Sequence, residues 1–168
     1  LNTVLQAQAA PLSNVQMSSK VTLVFPRFVY RNLGMPLGFL WVAGVLEKAG
    51  VEVTFLDGTF LSREQVLERL CISKPLIVFF SLQSVFADET FKLVKEFKAL
   101  NPNSKVIMGG PHPTLLPSET LSMEGVDIIV TKEAEATVQE LVHAIENKED
   151  LHNVQGIGFK DASKKNVF

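Results

Sequence analysis

Cysteine is almost absent: Cys71 is the sole one in 168 residues. One thiol forms no internal disulfide and holds no iron–sulfur cluster by itself. Its apolar helix setting, beside Leu67 and Leu70, reads as a small buried hydrophobe, which fits a reducing, cytoplasmic setting. An excess of charge of either sign is missing too. The formal net charge is −2, and a balance this close to neutral argues against nucleic acid as a main partner, because phosphate binding needs an excess of clustered Lys and Arg. Long apolar runs are lacking. Stretches such as Leu76–Phe80 fall far short of the roughly 20 residues that a membrane span needs. The uncharged segment 2–19 has no basic start and no continuous apolar block, so it does not read as a secretory signal. Residues 1–19 read as a flexible leader.

Several marked cofactor signatures are absent as well. No G-x-G-x-x-G follows the first apolar run, and no G-x-x-x-x-G-K-[ST] loop occurs, which removes the dinucleotide and phosphate-loop fingerprints. No acidic pair follows the first strand, and Ser81 stands where a phosphorylatable Asp would stand. A phosphoacceptor receiver domain is therefore disfavoured, although Lys132 follows the fifth strand as it would in one.

What is present is an alternation. Val21–Phe25, Val51–Leu56, Leu76–Phe80, Lys105–Met108 and Val126–Val130 read as strands. Leu37–Ala49, the segment from Ser62, Asp88–Leu100 and Glu133–Asn147 read as helices, with a short one at Pro117–Glu124. Ser62 followed by Gln65 is a capping box. Leu76–Phe80 is apolar without interruption, as a central parallel strand covered on both faces would be. Val138, Leu141, Val142 and Ile145 recur at helical spacing. Such a strand–helix rhythm predicts an α/β fold: a flavodoxin-like (Rossmann-like) five-stranded parallel sheet of order 2-1-3-4-5, with helices on both faces. Gly156–Lys160 reads as one more short strand and Asp161–Lys165 as a polar turn. Residues 151–168 are expected to begin a connection toward a further domain.

In such a sheet, ligands bind outside the carboxyl ends of the strands. Gly109-Gly110-Pro111-His112 leaves the fourth strand there, and two adjacent glycines let a large flat group approach the main chain. The loop 26–36 carries Arg27, Phe28, Tyr30 and Arg31, which suit either a conjugated ligand or open solvent. Ser81, Gln83 and Ser84 leave the central strand and offer hydroxyl and amide groups. His112, held between two prolines, has no His or Cys companion at metal-ligand spacing, so hydrogen bonding or packing is favoured over metal ligation.

Pro36-Leu-Gly-Phe-Leu-Trp-Val-Ala-Gly-Val-Leu-Glu-Lys-Ala-Gly50, followed by Val51–Asp57, resembles the start of the cobalamin-binding domain found ahead of many radical S-adenosylmethionine enzymes. Gly109–His112 matches that family's G-G-P-H. Val130–Glu135 matches its R-G-E-G-E in part, with Lys132 and Ala134 in place of both glycines. Gly156–Phe159 resembles its last strand. The resemblance covers residues 20–160, with the domain itself over 20–150. It implies a cofactor-binding set of Arg31, Pro36, Leu37, Gly38, Asp57, Ser81, Gln83, Ser84, Gly109, Gly110, Pro111, His112, Glu133 and Glu135, with no catalytic residue and no metal ligand. The nucleotide tail of cobalamin would slot in near the third and fourth strands, where Gly109 and Gly110 give clearance and Ser81, Gln83 and Ser84 hydrogen-bond it.

The D-x-H-x-x-G element that supplies a cobalt-ligating histidine in other cobalamin domains is absent, so the resemblance implies cobalamin held without a protein histidine ligand. The C-x3-C-x2-C cluster motif is absent too. The implied role is the cofactor-binding part of a larger enzyme of methyl-transfer or tetrapyrrole ring-closure type, related to the anaerobic magnesium-protoporphyrin IX monomethyl ester cyclase. Its 4Fe-4S cluster and S-adenosylmethionine would sit in a covalently linked downstream radical domain. Two other readings stay open at this level: a degenerate docking domain of the same fold that binds no cobalamin, and a flavin or small-ligand module.

Overall fold

The computed structural model describes residues 20–28, 35–161, 163 and 165–168. The expected leader, together with Tyr30 and Arg31, lies outside the described residues. The chain runs β1 (Lys20–Phe25), α1 (Leu37–Lys48), β2 (Glu52–Asp57), α2 (Arg63–Ser73), β3 (Ile77–Ser81), a 3₁₀ turn (Ser84–Phe86) and α3 (Ala87–Leu100). It continues through β4 (Lys105–Gly109), α4 (Pro111–Leu115), α5 (Pro117–Ser122), β5 (Ile128–Val130) and α6 (Glu135–Asn147) to β6 (Ile157–Lys160) and β7 (Asn166–Val167).

Side-chain alternation along the strands divides the core in two. Val21, Leu23, Ile77, Phe79, Ile107, Ile128 and Val130 face α1 and α6, where Val42, Leu46, Val138 and Leu141 meet them. Val24, Leu56, Val78, Phe80, Val106, Met108 and Ile129 face the opposite way, against Val66 and Leu70 of α2, Leu93 and Phe97 of α3, and Leu121 of α5. β3 contributes alternate residues to both layers, which explains its unbroken apolar run. The capping box forms as the sequence predicts: the Gln65 N–H donates to Ser62 Oγ at 3.3 Å, and the Ser62 N–H donates to Gln65 Oε1 at 2.9 Å.

The first five strands are parallel in the order β2-β1-β3-β4-β5, but the sheet does not stop at five. β6 pairs antiparallel with β5, and β7 antiparallel with β6, giving seven strands. A three-residue β5 would otherwise present an open edge, and the hairpin covers it. The Phe168 ring packs where Gly158 has no side chain; a Cβ there would lie 2.8 Å from Phe168 Cδ1. Lys160 donates to the Met123 and Val126 carbonyls at 3.3 and 3.1 Å, and burial pushes its ammonium below the ordinary lysine range. The segment after Gly110, expected as a loop, is the one-and-a-half-turn helix α4, which Pro111 enters at its first position. Among the described residues, no helix is long and apolar enough to cross a membrane.

Candidate functional site

An open-mouthed cavity of about 320 Å³ lies at the carboxyl end of the sheet, on the α1 and α6 side. Its position follows from strand parity. Phe25, Phe79, Ser81, Gly109 and Val130 continue the rows that face α1 and α6, and each lines the cavity. β3 and β4 bring Ser81 and Gly109 directly opposite one another. The helices supply the walls: Met35, Pro36, Leu37, Gly38, Phe39 and Val42 from the start of α1, and Lys132, Glu133, Ala134, Glu135 and Val138 from the entry to α6. Such a size falls at the lower end of small-molecule sites.

The two glycines do different work. A Cβ on Gly109 would meet nothing within 4 Å, so its bareness opens the cavity floor. Gly110 has φ +104 and ψ −169, and a Cβ there would lie 3.0 Å from the Leu82 carbonyl oxygen. Gly110 is bare because two main chains touch. The Leu82 N–H donates to the Gly109 carbonyl at 2.7 Å, and the His112 N–H donates to the Leu82 carbonyl at 3.1 Å, extending the β3–β4 ladder past its strands. Clearance for a ligand therefore comes from Gly109, and loop geometry from Gly110.

Ser81 and Gln83 share the cavity side, and among the described residues neither side chain has a hydrogen-bond partner. Both are half-buried, so their polar groups stand in the cavity without a protein partner. Arg27 forms part of the wall; it is 8% exposed, with its guanidinium carbon 4.4 Å from the Phe25 ring centroid.

Of the sequence-derived set, Pro36, Leu37, Gly38, Ser81, Gln83, Gly109, Gly110, Pro111, Glu133 and Glu135 come together around this cavity. Asp57, Ser84 and His112 do not. Asp57 Oδ1 accepts the Thr59 N–H at 2.7 Å, shaping the turn after β2. His112 is 4% exposed, its Nδ1 lies 2.9 Å from Ser84 Oγ, and its ring meets Phe91 of α3 edge-on at 5.9 Å. That contact puts His112 and Ser84 on the far side of the sheet from the cavity. His112 Nε2 has no hydrogen-bond partner, and Glu119 Oε1 stands 3.9 Å away. Arg31 lies outside the described residues. Sequence reasoning did not select Phe25, Phe79, Val42, Val130 or Val138, although their parity or spacing could have nominated them once the cavity was assigned to the α1 and α6 side.

Comparison with known proteins places this arrangement. The family model described as "B12 binding domain" matches residues 27–142. The chain belongs to the B12-binding domain family. It is 36% identical over 130 residues to the anaerobic magnesium-protoporphyrin IX monomethyl ester cyclase of Synechocystis, a match that covers 74% of this chain and 26% of that protein. It is 28% identical over 157 residues to an uncharacterized methyltransferase of Pyrococcus horikoshii, covering 86% of this chain and 33% of the relative. The chain thus spans between a quarter and a third of the length of these two relatives. Among solved structures, the radical S-adenosylmethionine methyltransferase TsrM of Kitasatospora setae, with cobalamin and a [4Fe-4S] cluster bound, superposes with a TM-score of 0.77 at 24% identity. That match covers 88% of this chain and 28% of TsrM.

The B12-binding domain seen here has a cavity whose residues fit the slender nucleotide arm of a corrinoid. Gly109 leaves the floor open, Ser81 and Gln83 offer unpaired polar groups, and apolar Phe79, Val42 and Val138 suit an aromatic base. The cavity is too small for a whole corrinoid, whose ring would have to stay at the mouth. Among the described residues no histidine lines it.

Proposed function

We propose that this domain holds cobalamin with the nucleotide arm in the slot beside Gly109 and the corrin ring over the mouth, with no protein histidine on cobalt. It serves as the cofactor-binding part of a cobalamin-dependent radical S-adenosylmethionine enzyme of the methyl-transfer or tetrapyrrole ring-closure type. The observation that carries this reading is the open floor at Gly109, flanked by the unpartnered Ser81 and Gln83. When bound, the cofactor supplies cobalt-centred reactivity to the catalytic part of the parent enzyme.

This chain's own residues bind and orient. Ser81 and Gln83 offer hydrogen bonds to the arm. Phe79, Val42 and Val138 exclude water around it. Pro36, Leu37 and Met35 form an apolar lip for the ring's underside. His112, buried against Phe91 and bonded to Ser84, fixes the loops after β3 and β4 to one another.

The test is a titration of the folded domain with hydroxocobalamin, followed by visible absorbance and heat of binding, with electron paramagnetic resonance of the bound cob(II)alamin. The reading expects saturable binding and no splitting from an imidazole nitrogen. Absence of binding refutes the cofactor role and favours a docking domain of this fold. A nitrogen triplet that becomes a doublet on ¹⁵N-histidine labelling refutes the ligand-free cobalt.

A further inference from the structure

Lys132 has φ +62, the left-handed region that a side chain enters at a cost. The other described non-glycine residues with positive φ, Lys74 and Lys148, each close a helix, where that conformation turns the N–H onto a terminal carbonyl. Lys132 closes no helix. Its N–H instead donates to Thr114 Oγ1 at 3.0 Å, while the Thr114 hydroxyl donates to the Gly110 carbonyl at 2.9 Å. One hydroxyl so ties the entry to α6 to the Gly109–Gly110 wall, with Lys132 on the cavity between them. The Lys132 ammonium has no ion pair or hydrogen bond among the described residues, although Glu133 and Glu135 follow closely. Arg27, the other cation of the described lining, is buried over Phe25. Lys132 is exposed and free to swing on its four-carbon stem.

We infer that Lys132 is an anion contact at this site and binds the phosphodiester of the nucleotide arm, the formally anionic group of cobalamin. Backbone strain at a position with no cap to satisfy marks Lys132 for a role beyond the fold, and its unpaired ammonium on the cavity lining offers a contact for an anion. The inference rests on the proposed cobalamin site and adds to it a residue that recognises one chemical group.

The probes are hydroxocobalamin and dicyanocobinamide, which lacks the nucleotide arm and its phosphate. Lys132→Gln should weaken hydroxocobalamin about tenfold, the loss of one charge-assisted contact, and leave cobinamide within about twofold. Lys132→Gly should weaken hydroxocobalamin similarly yet raise Tm by about 2–4 °C, because glycine adopts this φ without strain. A purely structural lysine would not separate affinity from stability in opposite directions. Equal losses toward both ligands, no loss toward hydroxocobalamin, or a glycine variant that loses stability along with affinity overturns the assignment. If the unaltered domain takes up neither corrinoid, the cobalamin reading itself fails and this one with it. If it binds both and the variants match it, Lys132 alone was misassigned.

Discussion

Substituting each glycine of the Gly109-Gly110 pair should separate the cavity from the scaffold. At Gly110, φ +104 and ψ −169 fall in a region open essentially to glycine alone, and a Cβ would press 3.0 Å from the Leu82 carbonyl oxygen and 3.3 Å from its nitrogen. The conformation alone costs about 1–3 kcal/mol for an alanine. The contact is with main chain that cannot swing aside, so Gly110→Ala should lose about 2–4 kcal/mol in total, a fall in Tm of roughly 5–15 °C for a domain this size. At Gly109 a Cβ meets nothing within 4 Å. Gly109→Ala should therefore stay within about 0.5 kcal/mol of the unaltered domain. Gly109→Leu should keep the fold but fill the floor, and overpacking a bound arm at about 1–3 kcal/mol weakens hydroxocobalamin by up to about 100-fold. Thermal circular dichroism reads the first effect and calorimetric titration the second. A Gly110→Ala domain that melts unchanged, or a Gly109→Leu domain that binds as the unaltered one does, refutes the division of labour between the two glycines.

His112→Ala should cost about 2–3 kcal/mol in urea unfolding, from the lost ring contact with Phe91 and the lost bond to Ser84, while the absorption spectrum of the bound corrinoid stays unchanged. A changed spectrum would mean the imidazole reaches cobalt. The turn between β6 and β7 should be acid-sensitive. Asp161 Oδ1 accepts from the Ser163 hydroxyl at 2.7 Å and from the Ser163 and Lys165 N–H groups at 2.8 Å. The Ser163 hydroxyl and the Lys165 N–H lower its pKa below the ordinary 3.8. A depressed carboxylate stabilises the folded turn above its unfolded pKa, and that support is lost as pH falls through the lower folded value. Amide exchange at Val167 should rise there, and should already be raised at neutral pH in Asp161→Asn. No difference between the two proteins would remove Asp161 from the turn's stability.

The five βα units were legible because each carries local punctuation. Ser62 and Gln65 announce a helix start, and β3's unbroken apolar run announces a strand covered on both sides. The antiparallel hairpin was half legible. Gly156–Lys160 reads as a strand and Asp161–Lys165 as a turn, but nothing local says that the strand pairs with β5 in the opposite sense. That choice is made by the exposed edge of a three-residue strand far away in sequence. Residues at strand ends, such as Ser81, Gln83 and Gly109, could be placed beside the cavity from strand parity alone. Where orientation decides, residue type was not enough. Ser84 and His112 carry polar groups, yet the 3₁₀ turn and α4 turn them toward one another and His112 onto Phe91, and residue type does not encode that rotation. The different reasons for two adjacent glycines are likewise invisible until the Leu82 main chain is in place.

The most direct measurement is a set of nuclear Overhauser contacts between the dimethylbenzimidazole protons of diamagnetic cobalamin and the ¹³C-labelled domain. The account predicts contacts from that base to the methyl groups of Val42 and Val138 and to the Phe79 ring, the apolar lining above Gly109. A saturated complex whose benzimidazole protons contact none of these residues, and instead meet the outer faces of α2 or α3, would contradict it.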